Sequence, residues 1–360
     1  MSEGRPRVGI ILLNWNGWQD TIECLESLYR LDYPVFSTII VDNGSTNDSV
    51  PRIMEWVRNY RGRSDAMTLS LSVLSHEGHS STPSLTDDHV AAFRTSHTGH
   101  QHTIVIVRSV ENLGFAAGCN LAMRLGVTVG CKYAWLLNND TVVEPDSLGT
   151  LVTFLEQHDN FAAATCQIRY HGNPNVVWNC GGHLLPLGVR RYDYADADVS
   201  LVPSDGYKQI SFASGCALLL RMKLMRDSGF LTEKFFFGEE DYELCHRLKR
   251  RGLSLACCYG SVIFHKVGAS MTVAATGGAL AKAHIYYLNR FIHMRDYWGL
   301  AFWECWRRAY CVYIMWLLRR SRGVPYKQSF SMLRSVMRES TVLERVDRDT
   351  FVRLMSKAQS

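Results

Sequence analysis

The chain has 360 residues, enough to bury a sizeable core in one large domain or two. Its 47% apolar and 20% charged residues are ordinary for a globular protein, and no window of about 18 uncharged apolar residues occurs, so no transmembrane helix is expected. The 11 cysteines form no C-x-x-C pair and follow no secretory leader, which points to reduced thiols in a cytosolic protein, with Cys257 and Cys258 packing on a strand.

The net charge of +5 is unevenly spread. Residues 291–360 carry 13 Lys+Arg against 6 Asp+Glu, or +7, which leaves −2 for the first 290 residues. The basic tail suggests an anionic surface as partner, and nucleic acid is not among the partners expected.

In chain order, Val8–Leu13 is an apolar run that ends in Asn14-Trp15-Asn16-Gly17, and a helix follows with Ile22, Leu25 and Leu28 on one face. Phe36–Val41 predicts a second buried strand, ending in Asp42-Asn43-Gly44-Ser45-Thr46. Ser45 or Thr46 is the expected cap of the next helix, which holds Val50, Ile53, Met54 and Val57 inside. Two strand–turn–helix units mark an α/β sheet with parallel strands. Residues 61–103 interrupt that rhythm with Ser, Thr and His, including His76, His79, His89, His97, His100 and His102. Their spacing gives no metal-ligand pattern beyond the weak pair His100/His102, and the segment reads as a mobile surface insertion.

The sheet resumes at Thr103–Val107, and Glu111-Asn112-Leu113-Gly114 leads into a helix from Phe115 to about Leu125. Tyr133–Leu137 is a short, aromatic-rich run that stops at Asn138-Asn139-Asp140, with Pro145 opening the next helix through Leu148, Leu151, Val152 and Leu155. A strand is expected at Phe161–Thr165, then irregular strands and loops over 166–215 and a strand-like run at Ser211–Arg221. Glu239-Glu240-Asp241 opens a helix that runs to about Arg251, with Gly252 as its cap, and strands at Leu253–Cys258 and Ser261–Phe264 end at His265.

Four polar clusters fall at strand ends: Asn14–Gly17, Asp42–Ser45, Asn112–Gly114 and Asn138–Asp140. Carboxyl ends of parallel strands share one sheet edge, so the clusters are expected to converge on one cleft. Asp140, flanked by amide oxygens, offers hard oxygen ligands for Mg²⁺ or Mn²⁺ carrying a phosphorylated substrate. Neither Gly-x-Gly-x-x-Gly after the first strand nor a P-loop occurs, so a cation rather than a glycine-rich loop must neutralise a bound pyrophosphate. Asp42 is suited to accept the imide hydrogen of uracil or thymine, and Asn112 to serve base or ribose.

LLNWNGWQDTIECLESL (12–28), IIVDNGSTNDS (39–49), ENLGFAAGCNLAM (111–123), WLLNNDTVVEPDSL (135–148), GCALLLR (215–221) and FFFGEEDYELCHRLKRRG (235–252), in this order, resemble a family-2 inverting glycosyltransferase, and most closely the rhamnosyltransferase-like enzymes of bacterial cell-surface polysaccharide synthesis. The resemblance covers about residues 7–60 and 104–295. It implies the GT-A (nucleotide-diphospho-sugar transferase) fold: an α/β protein with a mostly parallel central sheet flanked by helices, here over residues 1–290, followed by a C-terminal helical tail at 291–360. By that resemblance Asp42 contacts the nucleobase and Asn112 and Gly114 line the nucleotide pocket, with Asn14, Asn16, Asn138 and Asn139 completing the nucleotide-sugar site. Asp140 is the metal ligand at the last position of the family's Asp-x-Asp motif, and His265 a second metal or diphosphate contact. Asp241 is the catalytic base, in a helix first turn whose dipole favours its ionised form without raising its basicity, and Glu240 orients it or the acceptor. Glu239 is the substitute if the register is one residue off. Arg247 reads as structural. Glu243 stands where the family has Asp, which leaves its role open.

The donor implied is dTDP-rhamnose first, then UDP-hexoses and UDP-galactofuranose, and the acceptor a saccharide or a polyprenyl-diphosphate-linked saccharide. Phe291–Leu318 holds four tryptophans beside Arg319, Arg320 and Arg322, which suits an amphipathic helix on the cytoplasmic membrane face; packing on the catalytic domain or in a homodimer is the alternative. A nucleotidyltransferase lacks support because Asn14-Trp15-Asn16-Gly17 carries no Arg or Lys, and retention of Asp140 and Asp241 argues against a non-catalytic nucleotide-sugar-binding relative.

Overall fold

The structure is a computed structural model that describes residues 4–60, 68–76, 101–267 and 278–356. Its centre is a sheet of β1 (Val8–Asn14), β2 (Phe36–Asn43), β3 (Thr68–His76), β4 (Gln101–Ser109), β5 (Tyr133–Asn138), β6 (Thr141–Val143), β7 (Phe161–Tyr170), β8 (Asn173–Asn179), β11 (Tyr207–Ile210), β12 (Ala217–Arg221) and β13 (Ser254–His265). β9 (Gly182–Leu184) and β10 (Arg190–Tyr192) form a separate ribbon. The main order is β11-β13-β7-β12-β5-β1-β2-β4-β3, with β6 on β13 and β8 on β7. β5, β1, β2, β4 and β3 run parallel, and β12 enters antiparallel between β5 and β7.

The central strands are apolar on both faces because helices cover both. Along β5, Tyr133, Trp135 and Leu137 join one core while Ala134 and Leu136 join the other, the two-residue period of a strand. The first core lies under α1 (Trp18–Leu28), α2 (Ser49–Asn59) and α4 (Ser147–Gln157). The second lies under α3 (Phe115–Thr128), α5 (Met222–Ser228) and α6 (Glu240–Arg250).

Several sequence expectations change here. α2 starts at Ser49 after Asp48, beyond both expected caps: Ser45 is spent elsewhere, its Oγ donating to Asp42 Oδ1, and Thr46 stays in the turn, its backbone N donating to Asn16 Oδ1. The expected insertion at 61–103 is not wholly outside the sheet. β3 pairs with β4 in unbroken parallel register from Thr68 opposite Gln101 to His76 opposite Ser109. His102 packs against the Tyr29 and Phe36 rings, whereas His79, His89, His97 and His100 lie outside the described residues. The two strands expected over 253–264 are one strand, β13, whose register on β7 shifts between Cys258 and Val262. The helix expected to begin at Pro145 begins at Ser147.

The tail is α7 (Ala279–Tyr297), α8 (Leu300–Arg322), α9 (Tyr326–Val342) and α10 (Arg348–Ser356), and α7 runs through residue 290 without a break. These helices share a third core that includes Phe235, Phe291, Trp303, Trp306, Leu318 and Val346. Two of the four tryptophans are thus packed inside, while Phe302, Val312, Tyr313 and Trp316 are exposed. Among the described residues no helix is long and apolar enough to cross a membrane. The segment before α6 is clamped to the tail: Phe236 N donates to the Val346 carbonyl at 2.7 Å, and Val346 N to the Lys234 carbonyl at 2.8 Å.

Candidate active site

The carboxyl ends of β1, β2, β4 and β5 meet in register, Asn14 beside Asp42, Leu13 beside Asn138 and Asn43 beside Ser109. The buried polar groups there bond to one another. Asp42 Oδ1 accepts from Asn14 Nδ2 at 2.8 Å and from Ser45 Oγ at 2.6 Å, and Asp42 Oδ2 accepts from Ser45 N at 3.3 Å. Thr21 Oγ1 donates to Asn14 Oδ1 at 3.0 Å and accepts from Asn139 Nδ2 at 2.9 Å. Asn14 and Asn139 are therefore fastened to the scaffold. Asn16 sits at φ 57°, its backbone N–H donating to Ser45 Oγ and its side chain holding Thr46 N.

Asn112 Oδ1 accepts from Asn43 Nδ2 and from Gly114 N, each at 2.9 Å. Gly114 has φ 86°, and a Cβ there would stand 2.5 Å from the Phe236 carbonyl oxygen, which also accepts from Phe115 N. Only glycine fits, for both reasons. Gly44, at φ 71°, lies against the Glu111 backbone in the same way.

Asp140 and His265 come together because β6 pairs with β13, Thr141 opposite His265, and Lys266 N donates to the Asp140 carbonyl. Asp140 Oδ1 and His265 Nε2 stand 3.1 Å apart, both side chains buried, and neither atom is in a directed hydrogen bond. His265 Nδ1 lacks a partner as well, while its ring packs edge-on against Trp178. Buried polar atoms are normally satisfied, so this cluster has spare coordinating capacity. A carboxylate oxygen and an imidazole nitrogen are donors that Mn²⁺ accepts together, so Asp140 and His265 are the residues that would hold such an ion. Among the described residues no group of three or more His, Cys, Asp or Glu converges to hold a metal by itself. Asn138 closes the cluster through its backbone, its N–H donating to the Cys216 carbonyl at 2.8 Å and its carbonyl accepting from Thr141 Oγ1.

One residue along, Gly215 N donates to Asp241 Oδ2 at 3.3 Å, so the 214–216 segment links the end of β5 to the first turn of α6. Asp241 Oδ1 accepts from Tyr242 N at 2.8 Å. Burial pushes the Asp241 carboxyl above the usual carboxylate range, although the Arg190 charge and these two amides pull the other way. This corrects the expectation drawn from the helix dipole: desolvation does raise the basicity of Asp241. Glu240 is pushed up further, by burial and then by the Asp241 charge, and its Oε2 has no partner.

Glu239 behaves oppositely. At φ 83° its carboxylate turns away from Asp241 into a buried cage: both oxygens accept from Arg190 at 2.6 Å, and Oε1 also meets Arg290 Nε at 3.0 Å and His293 Nδ1 at 2.8 Å. Burial favours protonation, but Arg190, Arg290 and His293 outweigh it and hold this carboxyl far below the ordinary range. A carboxylate so fully spent is structural, which removes Glu239 as the substitute base. Glu243 and Arg247 also resolve as structural, since Arg247 pairs with Glu243 and donates to the Ser228, Gly229 and Phe230 carbonyls.

Sequence reasoning missed Arg190, Arg290, His293 and Tyr286, whose hydroxyl accepts from both arginines. Arg190 lies in a three-residue strand with no local signature. Tyr286, Arg290 and His293 carried one signal, the i, i+4, i+7 spacing of a single helix face.

The chain matches solved structures at low identity. It shares 10% identity with GalNAc-T7 in a crystal structure with UDP, GalNAc and Mn²⁺, at a TM-score of 0.58, covering 99% of this chain and 57% of that one. It shares 14% with the mannosyltransferase PcManGT from Pyrobaculum calidifontis in complex with GDP-Man and Mn²⁺, at a TM-score of 0.49, covering 99% and 76%. The present chain thus spans little more than half the length of the GalNAc-T7 structure. No curated protein matches it. A mostly parallel α/β sheet flanked by helices with a helical C-terminal region is the GT-A architecture. The family model described as glycosyltransferase like family 2 matches residues 6–276, and the chain belongs to that family.

Proposed function

We propose that the protein is a nonprocessive inverting glycosyltransferase that moves a sugar from a nucleoside diphosphate to a hydroxyl of a saccharide or lipid-linked saccharide. The observation that carries the reading is the buried Asp140–His265 pair with unspent coordinating atoms, joined through residues 214–216 to a carboxylate of raised pKa. Asp140 and His265 would hold Mg²⁺ or Mn²⁺, which when bound stabilises the charge of the departing diphosphate. The GalNAc-T7 structure holds UDP, GalNAc and Mn²⁺, which favours that ion here.

In the transfer, Asp241 takes the proton of the acceptor hydroxyl as its oxygen forms the bond to the anomeric carbon. The bond from that carbon to the diphosphate oxygen breaks on the opposite face, and the electron pair leaves with the diphosphate. Burial and the Asp241 charge bias the Glu240 carboxyl toward its neutral form, which limits the second negative charge beside the base. Asp42, Asn112 and Gly114 line the nucleotide pocket, with Asn14, Asn16 and Asn139 as its scaffold. We take dTDP-rhamnose as the first donor to test and UDP-hexoses next, in cell-surface polysaccharide synthesis. The exposed Phe302, Val312, Tyr313 and Trp316, with Arg308, Arg319 and Arg320 on the same helix, favour peripheral contact with an anionic membrane face.

A panel of nucleotide sugars with and without Mn²⁺, read as thermal stabilisation and as transfer, tests this. Asp140→Ala is expected to abolish the metal-dependent stabilisation. Asp241→Asn is expected to retain it and to lose transfer by 10²- to 10⁴-fold, on the order of general-base catalysis. Full turnover by Asp241→Asn removes that residue from the mechanism.

A further inference from the structure

A cavity of about 420 Å³ lies between α7, α8 and α10, on the tail side of the segment that opens α6. That is the size of a small-molecule site. Its walls are largely apolar, with Ala283, Ile285, Leu317, Leu318, Phe351 and Met355 among them. Asn289 is buried, and its Nδ2 donates to the Phe237 and Gly238 carbonyls at 3.0 and 3.1 Å, yet its Oδ1 has no partner. Lys282 is half-buried and has no ion pair among the described residues, and Arg322 brings a second cation from the end of α8.

The cavity also touches the catalytic apparatus. Gly238 and Glu239 form part of its wall, three and two residues before Asp241, and Tyr286, which braces Arg190 and Arg290 against Glu239, forms another part. From the geometry we infer that this cavity is the seat of the acceptor's lipid, a hydrocarbon chain joined to a phosphate. The chain fills the apolar walls, Lys282 and Arg322 face the phosphate, and Asn289 Oδ1 accepts from a hydroxyl of the head group. Two observations converge on that class: apolar volume with cations beside it, and a buried acceptor left without a donor. An uncharged lipid leaves the Lys282 charge without a counterpart, and a free phosphate leaves the volume unfilled. The exposed aromatic face of α8 would let such a molecule enter from a membrane. The inference rests on the transferase reading for the word acceptor, but the binding it requires is independent of it.

The test titrates the full chain with octyl phosphate, decyl phosphate, decanol and inorganic phosphate below micelle-forming concentrations, with and without UDP or dTDP plus Mn²⁺. Decyl phosphate is expected to bind roughly tenfold more tightly than octyl phosphate, from two further buried methylenes. Inorganic phosphate is expected to give no stabilisation. Lys282→Glu should weaken decyl phosphate roughly fivefold or more, and Ala283→Phe, which fills the apolar walls, should erase the chain-length dependence. Because Ala283→Phe could disturb packing, Lys282→Glu on the half-exposed side chain carries the test independently, with nucleotide binding as the control for folding. Equal affinity for inorganic and decyl phosphate, indifference to both substitutions, or competition between decyl phosphate and the nucleotide overturns the assignment. If decyl phosphate behaves as expected while no nucleotide binds, the transferase reading falls and the amphiphile site stands; the converse result removes the cavity alone.

Discussion

The two halves of the candidate site hold buried polar groups in place with different materials. At the ends of β1, β2 and β5 the work is done mainly by neutral amides and hydroxyls around one carboxylate, Asp42, whose oxygens accept from Asn14 and Ser45. At the start of α6, three acidic residues in a row are buried or half-buried, and the guanidinium charges of Arg190 and Arg290 neutralise the first of them, with His293 Nδ1 against the same carboxylate. The first arrangement gains a modest net amount per hydrogen bond and keeps each group oriented. The second sets neighbouring carboxyls to opposite protonation tendencies, Glu239 far down and Glu240 and Asp241 up, according to which of them faces the cations. Charge, rather than backbone position, separates the structural acid Glu239 from Asp241, the base we propose.

The sharpest way to break that comparison is pH. The transfer rate is expected to fall as pH drops through the raised pKa of Asp241, so its acid limb lies above the ordinary carboxylate range, approaching tenfold per pH unit. An acid limb at an ordinary aspartate value would show that burial does not govern this group. Stability should show the opposite sign at the two acids. The folded pKa of Asp241 is raised, so its ionisation costs stability as pH rises above the ordinary range, and Asp241→Asn is expected to raise Tm at neutral pH.

Glu239 has a depressed folded pKa, so its contribution is complete above the ordinary carboxylate range and is lost as pH falls below it. Glu239→Ala leaves Arg190 and Arg290 buried without their anion. We expect a loss of about 3–5 kcal/mol in urea unfolding at neutral pH, the usual cost of breaking a buried pair from one side. A loss under about 1 kcal/mol would mean that water or another carboxylate compensates the cage.

The same contrast explains what the sequence made legible. The parallel strands and their polar termini were readable because a buried strand is a short apolar run and its end is marked by Asn, Asp and Gly within a few residues. Asn14, Asp42, Asn112 and Asn139 were named from that signal, and their mutual bonds follow from strand register. The cage around Glu239 was not readable, because its partners lie 49 and 51 residues away and Arg190 looks like any surface arginine. Nor was the edge strand β3 read, although Leu69, Leu71 and Val73 alternate with Ser70 and Ser72 at a strand's period: the pattern is short and lies in a stretch whose Ser, Thr and His content reads as an insertion, and its place is fixed by register with β4. The tail's tryptophans signalled burial of some kind. Which of them face the third core was decided by α8 packing on α7 and α9.

The smallest effect expected falls in the neutral half, at Thr21. Its hydroxyl is fully buried and holds two asparagines: it accepts from Asn139 Nδ2, and its one proton is shared between Asn14 Oδ1 and the Gly17 carbonyl. Thr21→Val keeps the shape and removes the polar atom, leaving Asn14 Oδ1 and Asn139 Nδ2 each short of a partner in a site closed to water. The cost of such orphaned groups is about 1–3 kcal/mol. Because Asn14 in turn orients Asp42, nucleotide binding should weaken along with the urea midpoint, while the Glu239 cage, built from other residues, stays intact and additive. If Thr21→Val lowers stability without touching nucleotide affinity, the amide network is a brace only and Asp42 is positioned by Ser45 alone.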